Sequence, residues 1–221
     1  MYFKSRADAG RQLAQKMDKY KNQNLMVVAL GTGSSIVASQ LAMKLHANMA
    51  IYLVKNIHLP GEPQAIASLS STGTYSTNDY YSSGQLEYLG SEYHGYIGQE
   101  RIRANRELSV LLGRDGLINK QILRRKVVIV VSDGLRTGFS LKACADFLKT
   151  IAIKKLVVAS PIASISAVDK MHLLADDLYC LSVPNNYMGT NHYYDDNNKP
   201  DIDGVIKIIK NISLNWENPP Q

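Results

Sequence analysis

Residues 25 to 30 read Leu25, Met26, Val27, Val28, Ala29 and Leu30, an unbroken apolar run halted by Gly31, Thr32, Gly33, Ser34 and Ser35. Beyond the halt, Ile36, Val37, Leu41 and Leu45 return at helical spacing. An apolar run without alternation is a strand buried on both faces, so the stretch predicts a parallel strand, a glycine turn and a helix. Strands of the same kind are predicted at 49–54, 127–131, 156–159 and 178–183, with helices at about 139–149 and 166–175. Their alternation predicts an α/β fold: a doubly wound, mainly parallel sheet with helices on both faces and right-handed crossovers.

Two regions depart from that rhythm. Near the start, Ala9, Leu13 and Met17 recur every four residues among polar neighbours, which predicts a helix from Ser5 to about Tyr20 with Ser5 as N-cap. Between 58 and 98 the chain is rich in Ser, Thr, Gly and Tyr, and 65–69 and 86–89 are read as the strands of a short antiparallel hairpin. A long irregular insertion in a compact domain is typically a lid or a binding loop. Its tyrosines, among them Tyr75, Tyr80, Tyr81, Tyr88, Tyr93 and Tyr96, could stack on a base or a partner, or merely cover a sheet edge. A helix over 96–112 follows, with Ile97, Ile102, Leu108 and Leu112 as its apolar set. No repeat or linker interrupts the chain, so one domain over 1–221 with a lid at 58–98 is expected.

Composition narrows the picture. Hydrophobic residues make up 45% and charged residues 20%, close to globular averages, which excludes wholesale disorder. The net charge of +6 suits either a nucleic acid or a small polyanion such as a phosphorylated sugar. The densest basic cluster, Arg124, Arg125 and Lys126, reads as the solvated approach to a strand. Cys144 and Cys180 lack metal-ligand or framework spacing and read as small core residues. No stretch has the length of a secretory signal or a membrane span, so a cytoplasmic protein without a membrane partner is expected.

The strongest chemical signal follows the strand at 127–131. Ser132, Asp133, Gly134, Leu135, Arg136, Thr137, Gly138, Phe139 and Ser140 form an acid-containing strand end, a glycine turn and a helix start. Such a turn gathers backbone N–H groups and the positive end of a helix at one point, where an anion belongs. Thr137 and Ser140 add hydroxyl donors, and Gly138 lets the backbone approach a phosphate closely. Asp133 can accept hydrogen bonds from vicinal sugar hydroxyls, as acids at strand ends do for ribose. A phosphate cradle beside a hydroxyl acceptor suits a ribose 5-phosphate. An ordinary βα turn whose Thr and Ser only cap a helix is the plainer alternative.

These residues resemble the type I phosphoribosyltransferase signature of an apolar strand, two acids, a short turn and Thr-Gly-x-Thr/Ser. The resemblance extends to the opening segment from Arg6 to Ala14, to Val54–Lys55 through Pro60–Gly61, to 157–163, and to Tyr193, Tyr194, Asp195 and Asp196. These segments are similar to those of a bacterial group of predicted phosphoribosyltransferases. The resemblance implies that pyrophosphate is displaced from phosphoribosyl pyrophosphate by a nitrogen acceptor, with Mg2+ bridging pyrophosphate and ribose. It implies that Gly134, Leu135, Arg136, Thr137, Gly138, Phe139 and Ser140 hold the 5-phosphate. Asp133 would hold the ribose hydroxyls and, indirectly, the metal. Gly31, Thr32, Gly33 and Ser34 would form the pyrophosphate loop, and Lys55 would be the basic, catalytic residue that follows the second strand. A homodimer is also implied.

The chain departs from the family pattern at two places. Ser132 stands where the family carries an acid, and residues 31–34 lack the arginine of the group's usual Pro-Arg-Gly-Gly loop, which would clamp pyrophosphate as a charged fork. Arg136 could substitute in part. Both departures favour phosphate binding over transfer, and keep a second reading open: a non-catalytic phosphoribosyl or nucleotide sensor, with its basic surface available to nucleic acid. Lys55 could equally be a solvated strand end, and residues 31–35 an ordinary βα turn, since their spacing fails the dinucleotide fingerprint at Ile36.

Overall fold

The computed structural model describes residues 2–112, 118 and 120–217. Five parallel strands, β1 (Leu25–Leu30), β2 (Asn48–Tyr52), β6 (Val127–Val131), β7 (Lys155–Ile162) and β8 (Asp177–Ser182), lie in the order β2-β1-β6-β7-β8. Helices α1 (Arg6–Gln15), α2 (Thr32–Leu45) and α8 (Ile202–Glu217) contribute to the core on one face; α6 (Phe139–Lys149) and α7 (Ile165–Leu174) contribute to that on the other. The doubly wound parallel sheet expected from the apolar runs is therefore present.

Alternation within the buried strands shows why those runs are continuous. Val27, Ala29, Ile129 and Val131 pack toward α2, whereas Met26, Val28, Val128 and Val130 pack toward α6, so both side-chain directions end in a core. From β1 the chain moves outward to β2, and from β6 it moves the other way through β7 to β8. The switch point falls between the C-terminal ends of β1 and β6, where Ala29 is paired with Val131. In open α/β sheets a crevice for ligands opens at that point.

Ser5 caps α1, accepting from the Asp8 amide at 3.2 Å, as its position predicts. The helix stops at Gln15, and a short 3-10 turn at Asp18–Tyr20 carries the rest of the expected segment. The strand expected over 49–54 is broken at Leu53, whose N–H and C=O both bond Ser71. Past that point β3 (Val54–Ile57) leaves the main sheet and pairs with β4 (Ala67–Ser70) and β5 (Tyr75–Thr77) in a small antiparallel sheet.

The insertion differs from the hairpin expected of it. Residues 67–70 do form a strand, but 86–89 lie inside helix α3 (Ser83–Glu92) and pair with no strand. Ser82 and Gln85 form a reciprocal capping box there, and Leu86 and Leu89, three apart, both join the insertion's core. Helix α4 (His94–Leu112) follows as expected, although Ile102 faces solvent; the Leu112 side chain lies outside the described residues. A four-residue helix, α5 (Lys120–Leu123), leads into β6. The insertion has a core of its own, built on Ile57, Leu59, Ile66, Tyr81 and Leu89. No described helix is long and apolar enough to cross a membrane.

Candidate active site

The turn after β6 divides its backbone donors between two tasks. The Leu135 amide bonds Ile162 O at 3.0 Å, the Gly134 amide bonds Ser132 Oγ at 3.2 Å, and Ser164 N returns a bond to Leu135 O at 2.8 Å. These bonds pin the first half of the turn to the neighbouring strand. In the second half the amides of Arg136, Thr137, Gly138 and Ser140 have no hydrogen-bond partner among the described residues. The first N–H groups of every α-helix lack an intrahelical partner, so these donors are open to water or to a ligand. Gly138, at φ 68°, is the N-cap of α6 and adopts a left-handed conformation that suits glycine.

Those residues line a cavity of about 570 Å³. Residues 135–140 form its floor, and Asn56, His58, Gln64 and Asn78 of the insertion stand opposite. The expected phosphate-loop residues Leu135, Arg136, Thr137, Gly138, Phe139 and Ser140 are thus gathered on one surface. Gly134 sits just before it: an added Cβ would lie 2.6 Å from the Tyr187 hydroxyl, so this position requires a glycine for close approach.

Asp133 is turned to the other side of the turn. Its Oδ2 accepts from Arg6 Nε at 2.7 Å and its Oδ1 lies 2.9 Å from Ser34 Oγ. The Ser34 hydroxyl also stands 2.8 Å from Leu30 O and accepts from the Asp133 amide at 3.1 Å. Gly33 makes this approach feasible, because a Cβ there would lie 2.6 Å from Asp133 Oδ2. The segment expected as a pyrophosphate loop is therefore one N-cap, Gly31 at φ 95°, followed by Thr32, Gly33 and Ser34 in the first turn of α2. None of these four residues lines the cavity.

Arg6 is the residue that sequence reasoning passed over, having been taken only as part of an opening helix. It is 1% exposed, and an arginine is almost never so buried unless paired. Beyond Asp133 it donates to Asn191 Oδ1 at 2.8 Å and to Asn197 Oδ1 at 3.4 Å, and its guanidinium stacks 4.5 Å from the Tyr194 ring centroid. Tyr194 donates to the main-chain carbonyl of Asp133. Burial first, and then the Asp133 charge, hold the Tyr194 hydroxyl well above its ordinary pKa, which keeps it a donor.

Lys55 is placed away from this surface. Its ammonium bonds Glu107 at 2.7 Å on α4, holding that carboxyl below its usual range, and Lys55 does not line the cavity. Asn56, next along the strand, does. Neighbours on a strand point to opposite faces, so a one-residue difference decides which reaches the cavity.

The turn offers magnesium few donors. Among the described residues no group of three or more His, Cys, Asp or Glu side chains could hold a metal ion. The single carboxylate at the turn has both oxygens engaged by Arg6 and Ser34, and Ser132 donates to Gly134 O instead of supplying a second acid. The described residues at this turn do not form a protein-held metal site.

The fold and the two turns define an α/β protein whose cavity opens between the turn after β6 and an inserted hood, of which the small antiparallel sheet and the loops beside it supply the lining residues. The profile of the phosphoribosyl transferase domain family matches residues 3–197, and the chain belongs to that family. Two Mycobacterium tuberculosis proteins, from strains CDC 1551 and H37Rv, that carry the provisional name phosphoribosyl transferase are each 25% identical over 216 residues. That alignment covers 94% of this chain but 46% of each relative, so the chain spans less than half the length of those proteins. The crystal structure of TT1426 from Thermus thermophilus is similar throughout, with a TM-score of 0.73, 26% identity, and coverage of 98% of this chain and 99% of that one.

Proposed function

We propose that the protein binds phosphoribosyl pyrophosphate or a related sugar phosphate and transfers the phosphoribosyl group to a nitrogen acceptor. One observation carries this reading: four unpartnered amides at Arg136, Thr137, Gly138 and Ser140, at the positive end of an 11-residue helix, on the floor of a cavity at the switch point. The 5-phosphate sits on those amides. The Thr137 and Ser140 hydroxyls add donors, and Arg136 contributes charge at the rim.

In the transfer itself the bond from the anomeric carbon to pyrophosphate breaks, pyrophosphate leaves with the electron pair, and the nitrogen of the acceptor bonds to that carbon. Asp133 faces Arg6 and Ser34 and does not line the cavity, so to accept the ribose hydroxyls with its remaining lone pairs the carboxylate must turn toward the seat. The hood over 58–98 acts as the lid of the reaction, keeping water from an oxocarbenium-like centre. Asn56, His58 and Gln64, side chains on the hood side of the cavity, contact the acceptor.

A second reading has its own support. Residues 31–34 turn inward to Asp133, carry no arginine and leave the cavity without a charged clamp for pyrophosphate. A sensor that binds phosphoribosyl ligands without turnover would look the same. Calorimetric titration with phosphoribosyl pyrophosphate and magnesium, followed by pyrophosphate release across candidate bases, separates the two. Binding with release is expected. Binding without release favours the sensor, and absence of binding overturns both.

A further inference from the structure

Lys170, on α7, lies along the phosphate turn without having been part of any motif. A Cβ added to Gly138 would stand 3.1 Å from Lys170 Cδ and 3.3 Å from its Cβ, so the lysine stem covers the glycine at the N-cap of α6. Its ammonium, two bonds beyond Cδ, bonds Asp79 Oδ1 at 2.7 Å. Asp79 follows Asn78, which lines the cavity from the hood side. Among the described residues this is the one ion pair with one end between residues 58 and 98 and the other outside that span.

Two charges therefore compete for one cation. Asp79 is 46% exposed and Lys170 25%, so water screens their pair and it is weak. A phosphate dianion on the open amides of 136–140 would bring about twice the charge of a carboxylate to the same lysine, beside a helix N-terminus that already favours it. Lys170 does not itself line the cavity, so the exchange requires its flexible stem to swing the ammonium from Asp79 toward the turn.

Resting on the sugar-phosphate reading above, we propose that Lys170 is a ligand of the bound phosphate and leaves Asp79 when the seat is filled. Filling the seat then frees the hood loop around 79–81 from α7, so that the loop can move with the lid over the bound ligand. Lysine is thus both part of the seat and the latch of the loop at its mouth.

Calorimetry with ribose 5-phosphate on the full chain tests the exchange, with thermal melts as a check on folding. Lys170→Met should weaken binding about tenfold, and Lys170→Arg should restore most of it. Asp79→Asn should tighten binding about threefold, because the lysine no longer has to be surrendered. In the wild-type chain, ribose 5-phosphate should speed hydrogen exchange at the Tyr80 and Tyr81 amides. Binding by Lys170→Met within twofold of wild type, weaker binding by Asp79→Asn, or unchanged exchange at the two tyrosines would each overturn the proposal while leaving the seat intact. Wild-type chain that takes up no ribose 5-phosphate would remove the seat itself.

Discussion

The two turns that meet at the switch point have the same parts and opposite orientations. After β1, Gly31 caps a helix whose first turn presses Gly33 and Ser34 against Asp133, so the Ser34 hydroxyl is spent inside the protein, while the amides of Thr32, Gly33 and Ser34 have no hydrogen-bond partner among the described residues. After β6, Gly138 caps a helix whose preceding amides face an open cavity. The difference lies in what each turn meets. The first meets a carboxylate already held by Arg6, whereas the second half of the other, with the amides of Arg136, Thr137, Gly138 and Ser140 unpartnered among the described residues, lines a cavity. Glycines and open amides are common to both turns; the open space in front of the second is what marks it as an anion site.

The largest test of this contrast is to remove the cation that keeps Asp133 inward. Arg6→Met leaves a nearly buried carboxylate without its partner, and urea denaturation should show a loss of about 3–5 kcal/mol. A change below about 1 kcal/mol would mean that the ion pair does not hold the first turn closed. Gly33→Ala comes next. Helix propensity alone favours alanine by about 1 kcal/mol, but a Cβ 2.6 Å from Asp133 Oδ2 must displace a carboxylate fixed on both oxygens. The clash should win, for a net loss of about 1–2 kcal/mol; a gain in stability would show that the carboxylate moves freely.

Thr137→Val probes the open turn. The Thr137 hydroxyl has only a long 3.4 Å contact with the Phe139 amide, so melting should shift little. Affinity for ribose 5-phosphate should fall about tenfold, or about 1.4 kcal/mol. A large drop in stability with unchanged affinity would make this turn as structural as the first.

The smallest effect is expected far from both turns, at the start of β8. Hydrogen bonds from Tyr20 first, and then Lys155 and Lys19, hold the Asp177 carboxyl well below the usual carboxylate range. A depressed carboxyl stabilises the fold above its unfolded value of about 3.9 and loses that contribution as pH falls toward the folded value. Asp177→Asn should therefore lose less stability than wild type between about pH 5 and pH 2, by less than about 1 kcal/mol given its contact with solvent. Equal acid slopes in the two proteins would exclude this cluster as a source of acid sensitivity.

The main sheet was legible because its strands are buried on both faces, which leaves runs such as 127–131 wholly apolar. The hood was harder to read. Its central strand, Ala67–Ser70, is fully buried yet half serine, and the one local sign of a helix at 86–89 was the three-residue spacing of Leu86 and Leu89, which puts both on one helix face but on opposite faces of a strand. Within the site, residues 134–140 could be read because the turn is local. Arg6 could not, since its carboxylate lies 127 positions away and its amide partners 185 and 191 positions away. The only local sign was a charged residue at the head of a helix, which is ordinarily solvated. Lys55 and Asn56 show the finer limit, because period-two geometry does not say which phase faces the cavity.

The span between Arg6 and its partners also sets an order of assembly. A ribosome releases Arg6 before Asp133, and Asp133 before Asn191 and Asn197, and amino-terminal parts fold ahead of the rest. A nascent chain carrying both turns but not residues 191–197 would hold an arginine with most of its partners still unmade. Competence to bind should accordingly arise only once synthesis has passed residue 197, and not in any shorter fragment that contains the phosphate motif.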